Sequence, residues 1–150
     1  MTVSTPVKET KTRTVAKSGM VAAAEVALNY LSSYLFIPFG EWLVPIGNVK
    51  QFGKAGALGV TLGNAISYVI VPPTTLSAAF RLGLALTDIP ATAAASYLCY
   101  KTKHLDSAVY FTLFIKSAAT AVTLGSIYHL TPDFGSAFVI SSLVYGAAAS

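Results

Sequence analysis

From about residue 20 onward the chain is a series of apolar stretches broken only by short polar or proline-bearing joints. Cutting at this punctuation yields segments 20–49, 55–71, 76–100, 106–128 and 134–150. A helix needs about 20 apolar residues to cross a bilayer, and most of these stretches approach that length. Composition agrees, since 54% of the residues are hydrophobic and only 11% charged, with a mean hydropathy of +0.64. Soluble domains carry about one charged residue in four. The expected fold is therefore an all-α integral membrane protein: a basic polar tail over 1–18, then one polytopic helical domain over 19–150.

The stretches are not equivalent. The first is interrupted by Pro38, Phe39 and Gly40 and again by Pro45 and Gly47, all helix-breaking or turn-forming positions. The second stops at Pro72 and Pro73, and the third contains Arg81, Asp88 and Pro90. The fifth is about 25 Å of helix at the standard rise, barely enough to span. "KTKHLD" and "HLTPD" join the later stretches, and each ends in an aspartate, Asp106 or Asp133, suited to capping the next helix. Joints this short force antiparallel neighbours.

Cytoplasmic loops collect Lys and Arg, so the basic residues orient the chain. They fall in the tail (Lys8, Lys11, Arg13 and Lys17, opposed by Glu9) and in the pairs Lys50 with Lys54 and Lys101 with Lys103. If all five stretches span, the two pairs land opposite the tail. If 20–49 instead enters and returns, turning near Ile37 to Gly40, all three clusters share one side. The favoured topology is thus four transmembrane helices, with five as the alternative, preceded by a re-entrant or interfacial segment. The tail then lies on the cytoplasmic or equivalent side, with Glu41 and Trp42 near an interface. Without interleaved aromatics the tail does not suit nucleic acid and reads as a topology determinant facing an anionic leaflet. A tail of this composition is disordered standing alone, and if it is held in place a partner is the simplest candidate to hold it.

Lys116 sits near the middle of the fourth stretch, where a charge costs at least roughly 2.5 to 3.5 kcal/mol. Its expected partner is Asp88. Each lies about 14 residues from the joint near 102 and 103, hence at the same depth, roughly 20 Å from the turn. Thr112, Thr120 and Thr123 share a face with Lys116, while Thr92, Ser96 and Cys99 share one with Asp88. Pro90 predicts a kink or break beside Asp88. A salt bridge that sets helix register is favoured over a transport site, because a translocation path needs several ionisable groups and the others are Glu25, with Asn29 one turn on, and Arg81.

Gly59, Gly63 and Ser67 recur every four residues, a small-residue face for seating a helix of this chain or a neighbour. Asn64 and Tyr68 lie on an adjacent face and suit hydrogen bonding across an interface. Cys99 is the lone cysteine, excludes an internal disulfide and reads as a small buried hydrophobe. His104 and His129, roughly 37 Å apart along one helix, cannot share a metal or haem, and pigment ligation by either alone is disfavoured. No cluster of catalytic or phosphate-binding residues is present, so no enzyme activity and no cofactor are expected beyond lipid.

These features together suggest a non-catalytic accessory subunit of a larger membrane assembly, partnered by lipid and other membrane subunits. The alternative is a small oligomeric ion or proton channel or transporter using Asp88 and Lys116. A further alternative is a pore-forming or membrane-shaping protein that acts through its N-terminal segment.

Overall fold

A computed structural model describes residues 10–35, 43–70, 78–123, 133 and 135–140. Among them all regular structure is helical: α1 Lys11–Leu35, α2 Leu43–Phe52, α3 Lys54–Ile70, α4 Ala78–Lys101 and α5 Leu105–Ala121. A further helical turn covers 135–140.

Local chemistry explains most of the ends. Thr10 starts α1: its hydroxyl accepts the Arg13 amide at 3.4 Å and its carbonyl the Thr14 amide at 3.1 Å. Within the basic polar segment that precedes the apolar stretches, residues 11–18 are already helix. Gly53 separates α2 from α3 and adopts φ 58°, a left-handed conformation that glycine takes at no steric cost. His104 occupies the N-cap position of α5 with extended backbone angles and no side-chain capping bond, while Asp106 falls in the first turn and is not the cap the joint suggested. Asp133 does cap: its Oδ1 accepts the Ser136 amide at 2.8 Å and its Oδ2 the Ser136 hydroxyl at 2.8 Å. These bonds, the amide first, hold its carboxyl below the usual carboxylate range.

α4 runs continuously through Pro90, so of the kink or break expected there the break does not occur. Proline removes one backbone donor, but Asp88 and Thr92, on either side of it, are each bonded to side chains of α3 and α5. Tertiary bonds hold the helix across the defect.

The directions of the helices follow from their paired residues. Ser18 donates to the Ala55 carbonyl at 3.0 Å, and Asn29 donates to Ser67 at 3.0 Å. Between these, a Cβ on Gly59 would lie 2.6 Å from Val21 Cβ, and one on Gly63 would lie 2.5 Å from Glu25 Cβ and 2.7 Å from the Ala22 carbonyl. Both numberings ascend, so α1 and α3 are parallel. Their backbones meet so closely that only glycine fits, which is what small-residue faces achieve. α2, between them in sequence, packs its Asn48 and Val49 against Gly56 of α3. α4 is antiparallel to α3, with Asn64 beside Thr92 and Gly53 beside Tyr100. α5 in turn is antiparallel to α4, with Thr92 beside Lys116 and Thr87 beside Thr123.

The stretch 20–49 therefore goes out as α1 and comes back as α2; its turn near 37–40 lies outside the described residues. One end of the bundle collects the starts of α1, α3 and α5 and the ends of α2 and α4. Val21, Ile46, Val49, Val60, Cys99 and Ala108 form its apolar core, with Phe52, Ala57 and Val109 against it. Lys11, Arg13, Lys17, Lys50, Lys54, Lys101 and Lys103 all gather at this end.

Among the described residues one helical stretch, Leu82–Lys101, is long and apolar enough to cross a membrane. α3 and α5 have 17 residues each, about 26 Å at the standard rise and short of a hydrocarbon core of about 30 Å. α2 has 10 residues, and α1 opens on Lys11, Arg13 and Lys17.

The glycine contacts carry a direct test. Gly63→Ala should cost about 1 to 3 kcal/mol, because the new methyl group meets the α1 backbone. Gly19→Ala, in α1 with no atom near its Cβ position, should be neutral or stabilising by up to about 1 kcal/mol. Thermal unfolding in detergent compares the two; equal effects would contradict the close approach.

Candidate functional site

Polar groups from three helices meet at mid-height. Lys116, on α5, is held in place because its helix turns the face bearing Thr112, Lys116 and Thr123 inward, and all three are buried. Its Nζ forms an ion pair with Asp88 Oδ1 and donates to Thr92 Oγ1 at 2.7 Å. Asp88 and Thr92 stand one turn apart on α4, so one ammonium group reaches both. From α3, Asn64 Nδ2 donates to Asp88 Oδ2 and to Thr92 Oγ1, both at 2.9 Å. Tyr68, one turn beyond Asn64, adds a hydrogen bond to the Asp88 carboxylate.

Both carboxylate oxygens thus accept, and the ammonium has two acceptors. A buried pair is tolerated when its remaining valences are satisfied, and loss of one member is then costly. The arrangement is a three-helix clamp. On the side away from α3 it borders a cavity of about 20 Å³ lined by Ile46, Val49, Thr92, Ser96, Thr112 and Lys116. That is room for one water and no larger guest.

The other expected residues are distributed elsewhere. Glu25 is 2% exposed and packs on Gly63 between α1 and α3, whereas Asn29 bonds to Ser67. Neither joins the Asp88 and Lys116 group by any bond described. Gly59, Gly63 and Ser67 seat α1, a helix of this chain. Arg81 lies on α4 with its side chain outside the description, and His129 lies outside the described residues altogether. His104 is exposed at the start of α5, and Cys99 is a buried thiol. Among the described residues no three of His, Cys, Asp and Glu come together to hold a metal.

Three contacts were not foreseen. Lys50 Nζ donates to the Cys99 carbonyl at 3.1 Å and to the Thr102 carbonyl, closing the end of α4 with a residue from α2. Lysine near terminal helix carbonyls is a known cap, but nothing in sequence indicated which helix it would reach. Thr87 and Thr123 share a hydrogen bond between α4 and α5; depth matching across the joint would have found it. Ser117 is fully buried beside Lys116, a position the threonine stripe did not include.

The outer surface has the opposite chemistry. Leu58, Leu62, Ile66, Val69 and Ile70 are exposed on α3, Leu82 and Leu86 on α4, and Tyr110, Phe111 and Phe114 on α5. Val69 is 85% exposed, while Lys116 is 8% exposed. Comparison with protein-family models, with curated proteins and with solved structures found no match.

The clamp predicts coupling. Lys116→Met and Asp88→Asn should each destabilise, and the double variant should recover part of the loss, with an interaction energy of about 1 to 3 kcal/mol. Thermal unfolding of the four proteins measures it. Additive effects would mean that the pair contributes nothing.

Proposed function

We propose that this is a multi-pass helical membrane protein serving as a non-catalytic accessory subunit of a larger membrane assembly. The observation that carries the reading is the inverted distribution of side chains. Charged and hydroxyl groups are buried between helices while large apolar side chains face outward, the reverse of what water selects. In lipid it is the favourable arrangement, because ionisable groups there face the bundle interior and pair.

Four spans, with α1 and α2 forming the segment that enters and returns, remain the preferred topology. What supports it is the gathering of Lys11, Arg13, Lys17 and both lysine pairs at one end of the bundle, the arrangement the positive-inside rule asks for. An accessory role is favoured over catalysis because Asp88 and Lys116 satisfy one another. The expected neighbours are lipid and helices of other subunits, packed on the outward leucines and aromatics.

One observation favours the second reading, a small oligomeric ion or proton channel. The cavity beside Lys116 has room for one water next to an ionisable pair, the kind of element a proton relay uses.

Purification from native membranes in mild detergent, with identification of what co-purifies, tests both. The subunit reading expects the protein to resist alkaline extraction and to elute with defined partner chains. A lone monomer or homo-oligomer that moves ions or protons in liposomes would replace it with the channel reading, and release by alkaline wash would contradict both.

A further inference from the structure

The basic end has a chemistry more specific than topology requires. Five of its cations, Lys11, Arg13, Lys54, Lys101 and Lys103, are exposed, and among the described residues Asp106 is the one carboxylate located there. The turn packing of Gly53 against Tyr100 brings Lys54, at the start of α3, beside the end of α4, which carries Lys101 and is followed two residues on by Lys103. Lys101 Nζ stands 5.6 Å from the Tyr97 ring centre and 5.4 Å from the Tyr100 ring centre, and both rings are exposed.

Read along α4, the exposed groups change in order from Leu82 and Leu86 to Tyr97, Leu98 and Tyr100, and then to Lys101 and Lys103. An occupant complementary to that order carries an anion at one end and hydrocarbon below it. A free phosphate uses only the lysines, and a nucleic acid leaves the leucines uncovered.

Resting on the membrane reading above, we propose that Lys54, Lys101 and Lys103 form a headgroup site for an anionic phospholipid. The phosphate lies among the three ammonium groups, the tyrosine rings sit at glycerol level, and the acyl chains run along the apolar side of α4. Lys101 is held for this role by the two rings beneath it.

The full chain in neutral detergent is titrated with fluorescent phosphatidylglycerol and, separately, with phosphatidylcholine. Tight binding of the first and weak binding of the second are expected. Removing a charge near the surface should weaken binding about fivefold at low salt, so K54Q/K101Q/K103Q should lose roughly a hundredfold while K11Q/R13Q loses less. If the triple variant loses its helical circular dichroism, Lys101→Gln alone serves, with about fivefold expected. Equal affinity for the two lipids, an unchanged variant, or displacement of the lipid by inorganic phosphate or by an RNA oligonucleotide would overturn the proposal. Flotation of the wild-type chain with vesicles of each lipid after alkaline wash separates the two levels. Flotation with both lipids keeps the membrane reading whatever the preference, and flotation with neither overturns both.

Discussion

An ammonium group placed among apolar helices has few stable arrangements, and the one adopted by Lys116 organises the bundle around it. Asp88 neutralises it, Thr92 accepts from it, and Asn64 fills the remaining acceptor positions, so that α3, α4 and α5 are joined at one height. Slip of one helix by a turn would move a partner by 5.4 Å and leave a buried charge unmatched. Register is therefore fixed by electrostatics where apolar packing alone would leave it loose. Continuity of α4 through Pro90 follows from the same bonds, which grip the helix on both sides of the missing donor.

α1 is held by a different kind of force. Gly59 and Gly63 let its backbone approach α3 within van der Waals reach, and Ser18 and Asn29 bond at the two ends of that seam. Because α1 and α3 run parallel, the chain has to come back between them, and α2 does so. That return carries Lys50 and Lys54 to the end where α1 starts, beside Lys101 and Lys103. Charge asymmetry is thus a consequence of helix packing, and it gives the molecule one basic end and apolar flanks.

Much of this was legible in residues. The depth match of Asp88 with Lys116 needed only a short antiparallel joint and a constant rise, and the glycine face needed only its spacing of four. The return of the first stretch was inferred from lysine positions. What escaped had no periodic signal: the reach of Lys50 to the carbonyls of another helix, and the start of α5 after His104, which puts Asp106 in the first turn. Asn64 was recognised as interfacial, but its partners depend on how α3 is rotated against α4, which spacing within one helix does not encode. The start of α1 at Lys11 was missed because a Thr-rich basic sequence reads as tail, whereas packing of Ser18 on α3 supports helix there. Number of spans is the least legible feature, since 17-residue helices fall just under the length that identifies a crossing by itself.

The central claim is that the leucine and phenylalanine side chains on the outside of the bundle face hydrocarbon while the polar cluster is enclosed. Spin labels placed singly at Leu62, Leu86 and Phe114, in a Cys99→Ser background and in reconstituted bilayers, test this most directly. All three sites lie at the height of Asp88 and Lys116. The account predicts that dissolved oxygen relaxes these labels far more than a water-soluble nickel complex does, the mark of lipid exposure. Greater accessibility to nickel than to oxygen at these positions would contradict it.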